Sequence, residues 1–127
     1  MQDKVTYEYA VIRLVPKVER EEFINIGVLL FSKRKKYIGI KVKIDEARII
    51  SFSREVDMKT IRDYLKAWTS ICKGAPEGGT IGQLDLASRF RWLTATKSTI
   101  IQCSPVHPGL CEAPELVLEH IFERYVL

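Results

Sequence analysis

Three polar side chains fall within strand-like or strand-edge sequence in the early part of this chain: Arg13, Glu22 and Asn25. A buried arginine in strand-like sequence must find acceptors, because buried polar groups are almost always paired. The simplest arrangement is an ion pair between Arg13 and Glu22, with Asn25 bonding backbone at a strand start. The alternative is a small cleft in which Arg13 binds an anion and Glu22 or Asn25 orients it. Gly27, close by, fits a bulge or close packing better than a ligand contact.

The run Thr94, Ala95, Thr96, Lys97, Ser98, Thr99 gathers hydroxyls, a cation and backbone donors in one loop. Short donors of this kind can hold a phosphate. The loop lacks the glycines of a P-loop, so nucleotide binding by that mechanism is not indicated. With Arg89 and Arg91 just before it, this is the most site-like stretch of the chain, although a solvated helix-to-strand turn accounts for the same residues. An enzyme or binder acting on a phosphorylated ligand would draw on Arg13, Arg91, Lys97, Ser98, Thr99 and His107. It requires the first strand and the 94–107 segment to meet in one cleft.

Cys103, His107 and Cys111 are spaced at intervals of four, and His120 offers a fourth donor. Zinc needs thiolates and imidazole converging tetrahedrally. This spacing matches no established zinc pattern, and separated cysteines commonly serve as small buried apolar residues. Ser104 near His107 lacks a third orienting group and any nucleophile elbow such as G-x-S-x-G. The sequence therefore assigns no catalytic residue, metal or cofactor.

Lys33, Arg34, Lys35 and Lys36, followed by Lys41 and Lys43, form a basic hairpin. Such a hairpin can contact phosphate backbones, with Tyr37 stacking on a base. Lysines on an exposed strand equally guard against edge-to-edge aggregation. The net charge is +4, and the 33–48 segment carries the whole surplus.

At 127 residues the chain fits one domain, spanning 1–127 without a linker. Three cysteines with no Cys-x-x-Cys pair, no long apolar run and no export pattern between Met1 and Val5 point to free thiols in the cytoplasm.

The elements that must position these groups follow from periodicity. Val5 to Val15 alternates as a strand, apolar on both faces beyond Tyr9, which suits a central strand covered on both sides. Phe23 to Phe31 and Tyr37 to Ile44 pair as a hairpin, the latter with Ile38, Ile40, Val42 and Ile44 inward. Asp45 caps a short helix to Phe52, though a strand over Ile49 to Phe52 fits the pattern equally. Asp57 caps a longer helix to Lys73, with Ile61, Leu65, Trp68 and Cys72 as its buried stripe. Asp85 to Leu93 is a further helix, Ser98 to Cys103 a fourth strand, and Ser104 to Gly109 a rigid loop. Pro114 opens a C-terminal helix. Trp68 and Trp92 are expected in the core. The order predicts an α+β fold: a mainly antiparallel sheet of four strands, the late strand beside the first, with three main helices packed mainly on one face.

Two blocks carry a resemblance. One runs from Tyr7 to Pro16 and on through Glu22, Phe23, Ile24, Asn25, Ile26, Gly27 and Val28. The other runs from Arg89 to Ala95, then Ser98 to Gln102 and Ser104 to His107, with the Pro114 helix after it. In order and spacing they resemble the family catalogued as domain of unknown function 3037, over nearly the whole chain. Lys97 departs from the arginine expected there, keeping a cation but losing a planar fork. The resemblance implies a small bacterial protein and supplies neither activity nor cofactor. Similar genes often lie beside those of HipA-type kinases, implying such a kinase as partner. The combined expectation is a non-enzymatic accessory or interaction protein. A binder or enzyme for a phosphorylated ligand and a nucleic-acid binder are its alternatives.

Overall fold

The computed structural model describes residues 4–127; the reading of the chain before Lys4 lies outside the described residues. Strands β1 (Val5–Leu14), β2 (Ile24–Ser32) and β3 (Tyr37–Val42) come first, followed by helices α1 (Glu46–Phe52), α2 (Met58–Lys73), the short α3 (Gly79–Gly82) and α4 (Leu86–Thr94). Strands β4 (Ile101–Cys103) and β5 (His107–Cys111) and helix α5 (Pro114–Tyr125) complete the chain. No helix among the described residues is long and apolar enough to cross a membrane.

The sheet is antiparallel, in the order β3-β2-β1-β4, and β5 continues alongside β1 beyond β4. β1 is therefore the central strand, as its two apolar faces require. β4 and β5 act as one broken strand: Cys103 lies opposite Ile12, and His107 lies opposite Tyr9. The segment from Ser104 to Gly109, expected as a loop, thus divides into a short break and a strand. Pro108 is tolerated there because β5 is an edge, where a missing donor faces outward. Ser104 spans the break, its Oγ accepting from Val11 N–H at 2.8 Å and its own N–H donating to Val11 O at 2.8 Å.

Side-chain alternation divides the core into two layers. Ile12, Leu14, Ile24, Ile26, Leu29 and Phe31 face α1, α2 and α4, meeting Ile49, Ile61, Leu65, Trp68 and Phe90. On the other face Val28 and Leu30 meet Leu118, Ile121 and Phe122 of α5. Helices thus cover both faces rather than mainly one. The apolar stripe of α5 needs burial, and the face holding Val28 and Leu30 is the one that α2 and α4 leave open.

β2 carries one extra residue, Ile26, between the pairs Ile12 with Gly27 and Arg13 with Asn25. The bulge lets Ile24 and Ile26 share a face with Leu29 and Phe31 despite the change of parity. A Cβ on Gly27 would sit 2.7 Å from Lys41 O and 2.8 Å from the Val42 Cγ1, so the close strand approach requires glycine.

The helix starts match their capping chemistry. Asp45 accepts from Arg48 N–H, Asp57 from Lys59 N–H and Asp85 from Ser88 N–H. α2 ends at Gly74, in the left-handed region at φ 66°. Trp68 is buried, but Trp92 is 40% exposed and does not fill the core. It lies on α4 beside Leu93, one residue off the inward stripe.

Candidate functional site

Arg13 sits on β1 between Asn25 of β2 and Gln102 of β4, on the face opposite Ile12 and Leu14. α5 covers that face only as far as Tyr125, whose carbonyl accepts a hydrogen bond from Asn25 Nδ2 at 3.1 Å. Beyond it the sheet is open, and Arg13 lines a cleft of about 400 Å³ with Val18, Glu21, Phe23, Lys97, Ser98 and Gln102.

Arg13 and Glu22 do not pair. Glu22 bridges to Arg20 at 2.6 Å instead, and among the described residues no carboxylate lies within ion-pair distance of Arg13. The guanidinium carbon lies 4.0 Å from the centroid of the Phe23 ring, and Arg13 Nε is buried without a hydrogen-bond partner. A cation over an aromatic face, with no carboxylate partner, retains its capacity for an anion. Glu21 is the residue of the Glu21–Glu22 pair that reaches this cleft, from a backbone in the left-handed region at φ 56°.

Lys97 shares the cleft, but its ammonium is occupied. Nζ donates to the carbonyls of Trp92, Leu93 and Ala95 at 2.7, 3.1 and 3.2 Å. Three acceptors use all three of its donors at the C-terminal end of α4. The rings of Trp92 and Trp68 flank it at 4.9 and 5.4 Å. Lys97 thus closes the helix and adds background charge to the cleft. Ser98 lines the cleft directly. The Thr99 hydroxyl is turned into the local chain, donating to Ile101 O at 2.7 Å, and Gln102 Nε2 donates to Thr99 O at 2.8 Å.

Arg91 and His107 lie elsewhere. Arg91 pairs with Glu8 at 2.6 Å, five residues along β1 from Arg13 and on the opposite face, which a strand rise of about 3.3 Å per residue sets roughly 17 Å away. The His107 ring packs on Tyr9 at 5.4 Å, within an aromatic group that includes Tyr7 and Tyr125. The Ser104 hydroxyl donates to Pro105 O at 2.9 Å, turned away from any base.

Cys103, His107 and Cys111 follow the extended backbone of β4 and β5, opposite Ile12, Tyr9 and Val5 in turn. Each is separated from the next by about 10 Å or more at the usual strand rise, so the three do not converge. Among the described residues no three metal-ligating side chains cluster, those with His120 included. Burial pushes the thiols of Cys72 and Cys103 up to about 12, Cys103 against the opposing pull of the Lys97 and Arg13 charges. Both are neutral and unreactive at ordinary pH.

The hairpin tip bears Lys33, Arg34, Lys35 and Lys36, all exposed, with none in an ion pair among the described residues. Lys41 pairs with Glu119 of α5, its ammonium 4.8 Å from the Phe122 ring centroid. Lys43 is exposed just beyond β3.

The cleft residues that sequence reasoning missed are Val15, Val18, Glu21, Phe23 and Gln102. Phe23 had a signal, an aromatic residue closing a charged connection. Gln102 had another, a polar side chain inside a β-branched run.

The molecule is therefore an α+β protein with helices on both faces of an antiparallel sheet and an arginine cleft beyond the end of its last helix. A family model described as "Protein of unknown function (DUF3037)" matches residues 9–126, and the chain belongs to that family. No curated protein and no solved structure matches it.

Proposed function

We propose that this chain is a non-enzymatic binding protein that holds a phosphorylated group in the Arg13 cleft. The observation that carries the reading is the half-buried Arg13 guanidinium, over the Phe23 ring at 4.0 Å and with no carboxylate partner among the described residues. A folded protein normally pairs such a charge. An unpaired one at the floor of an open cleft is chemically suited to a dianion, with the Ser98 hydroxyl beside it and the Lys97 charge behind it. Arg91 and His107 take no part, so recognition in the cleft rests on Arg13 and Ser98.

The gene association implied by the family resemblance makes a HipA-type kinase a natural partner for a phosphate-recognising accessory protein in the bacterial cytoplasm. Affinity purification from native cells, followed by identification of co-eluting proteins, tests the partnership. Recovery of no kinase would remove it.

The cleft itself is tested by NMR titration with inorganic phosphate and with O-phosphoserine. Resonances of Arg13, Phe23, Ser98 and Gln102 are expected to shift together, and Arg13→Ala to abolish the shifts. Shifts centred on the hairpin instead would favour a second reading, nucleic-acid binding through Lys33, Arg34, Lys35 and Lys36, supported by their exposure without ion pairs.

A further inference from the structure

We propose that the ligand of the Arg13 cleft is a phosphorylated peptide segment, held extended in a groove that runs from Arg13 past Phe23 to Phe52; this rests on the reading of Arg13 as the phosphate site. Phe23 lines both the Arg13 cleft and the depression next to it, where Arg48 and Ser51 also lie. Phe52 lines that second depression and a third one, reached at Pro16 and Arg54. Phe23 and Phe52 each stand between two neighbouring depressions, so the three lie side by side along one surface.

Its lining is largely polar, but exposed apolar side chains stand along it that a free anion does not explain. Val18 is 38% exposed, Phe23 43% and Phe52 38%, all beside the groove. Inorganic phosphate needs donors and gains nothing from aromatic rings further along. An apolar side chain tethered to the phosphate gains from both, because the rings are then removed from water. The spacing of charged head and apolar body along one extended surface is how anchored peptides are read.

Charge complementarity selects the chemistry. Six basic side chains and three acidic ones line the groove. Glu22 is held by Arg20 at 2.6 Å and Glu55 by Lys17 at 3.2 Å, so the basic surplus faces the ligand. A nucleic acid would bring a phosphate at every nucleotide, more charge than a groove whose Arg20 and Lys17 are already paired can answer. A peptide brings one dianion, for Arg13, and a neutral backbone.

The test uses the full chain and blocked synthetic peptides in isothermal titration. The panel contains one phosphoserine among glycines, with a single leucine placed one, two or three residues to either side, plus the leucine-free and unphosphorylated counterparts. At least one leucine register is expected to bind about tenfold tighter than the leucine-free phosphopeptide. Phe52→Ser is expected to erase that gain while leaving the leucine-free phosphopeptide unchanged, and Phe52→Leu to restore it. Arg13→Ala is expected to weaken every phosphopeptide. If Arg13-dependent binding occurs but no leucine register gains, or Phe52→Ser changes nothing, the groove is wrong and the cleft stands. If no phosphopeptide binding depends on Arg13, the cleft reading fails and the groove with it. A single-stranded oligonucleotide that binds tighter than every peptide would also overturn the proposal.

Discussion

The Arg13 guanidinium rests 4.0 Å from the centre of the Phe23 ring while its Nε, buried, has no acceptor. A buried donor left unpaired costs about 1–3 kcal/mol, and a cation over an aromatic ring at a part-exposed site returns about 0.5–1 kcal/mol. The pair is thus a net burden on folding that a ligand would relieve. Arg13→Met is expected to leave stability unchanged or to raise it by up to about 2 kcal/mol, since it removes the unpaired donor and keeps the packing on Phe23. Urea unfolding checks this. A loss above about 2 kcal/mol would show that Arg13 is structural.

Lys97 gives the opposite expectation. Its three bonds to the carbonyls of Trp92, Leu93 and Ala95 close α4. Lys97→Met keeps the stem between the Trp68 and Trp92 rings but strands those carbonyls, at a cost of about 1–2 kcal/mol. Thermal unfolding should register the loss, with phosphate affinity falling less than it does in Arg13→Ala. If both variants lose binding equally, Lys97 contacts the ligand directly.

Much of the architecture was legible in the sequence because it rests on local rules. Asp45, Asp57 and Asp85 precede apolar periodicity and cap the three helices expected after them. Ile38, Ile40 and Val42 alternate and turn inward. The late strand pairs beside β1 because the apolar Ile101 needs a covered edge. β5 was not legible, since Pro105 and Pro108 read as loop residues and only the free flank of β1 makes a strand of His107–Cys111. The two-sided helix packing was hidden because an amphipathic stripe gives its period but not which sheet face receives it. The cleft was half legible. Arg13, Lys97 and Ser98 do meet there, but which carboxylate pairs with which arginine depends on three-dimensional proximity, and Glu22 lies nearer Arg20.

Gly27 offers a sharp test of the bulge. A methyl group there would meet Lys41 O at 2.7 Å and Val42 Cγ1 at 2.8 Å. Backbone cannot retreat cheaply from a packed strand, so Gly27→Ala is expected to cost about 1–3 kcal/mol. Because Arg13 follows the bulge, amide exchange should quicken at Ile12, Arg13 and Asn25 as well. Unchanged exchange at those sites would mean that the bulge does not set the cleft.

The thiols of Cys72 and Cys103 predict how stability responds to alkali. Burial raises both to about 12 in the folded protein, from an ordinary value of 9.0. Below pH 9 both states carry the proton, and the folded state keeps its full advantage. Between pH 9 and 12 the unfolded chain ionises first, so unfolding gains free energy and stability falls as pH rises. Tyr9 and Tyr37, also raised by burial, act in the same direction at the upper end of that window. The urea midpoint is therefore expected to drop from pH 9 upward, and Cys103→Ala to flatten the drop while lowering the midpoint at pH 7 through lost packing. A thiol reagent at pH 8 should label the buried Cys72 only at the rate of unfolding. Fast labelling of Cys72 in the native protein would mean that its sulfur is open to solvent and not sealed in the core.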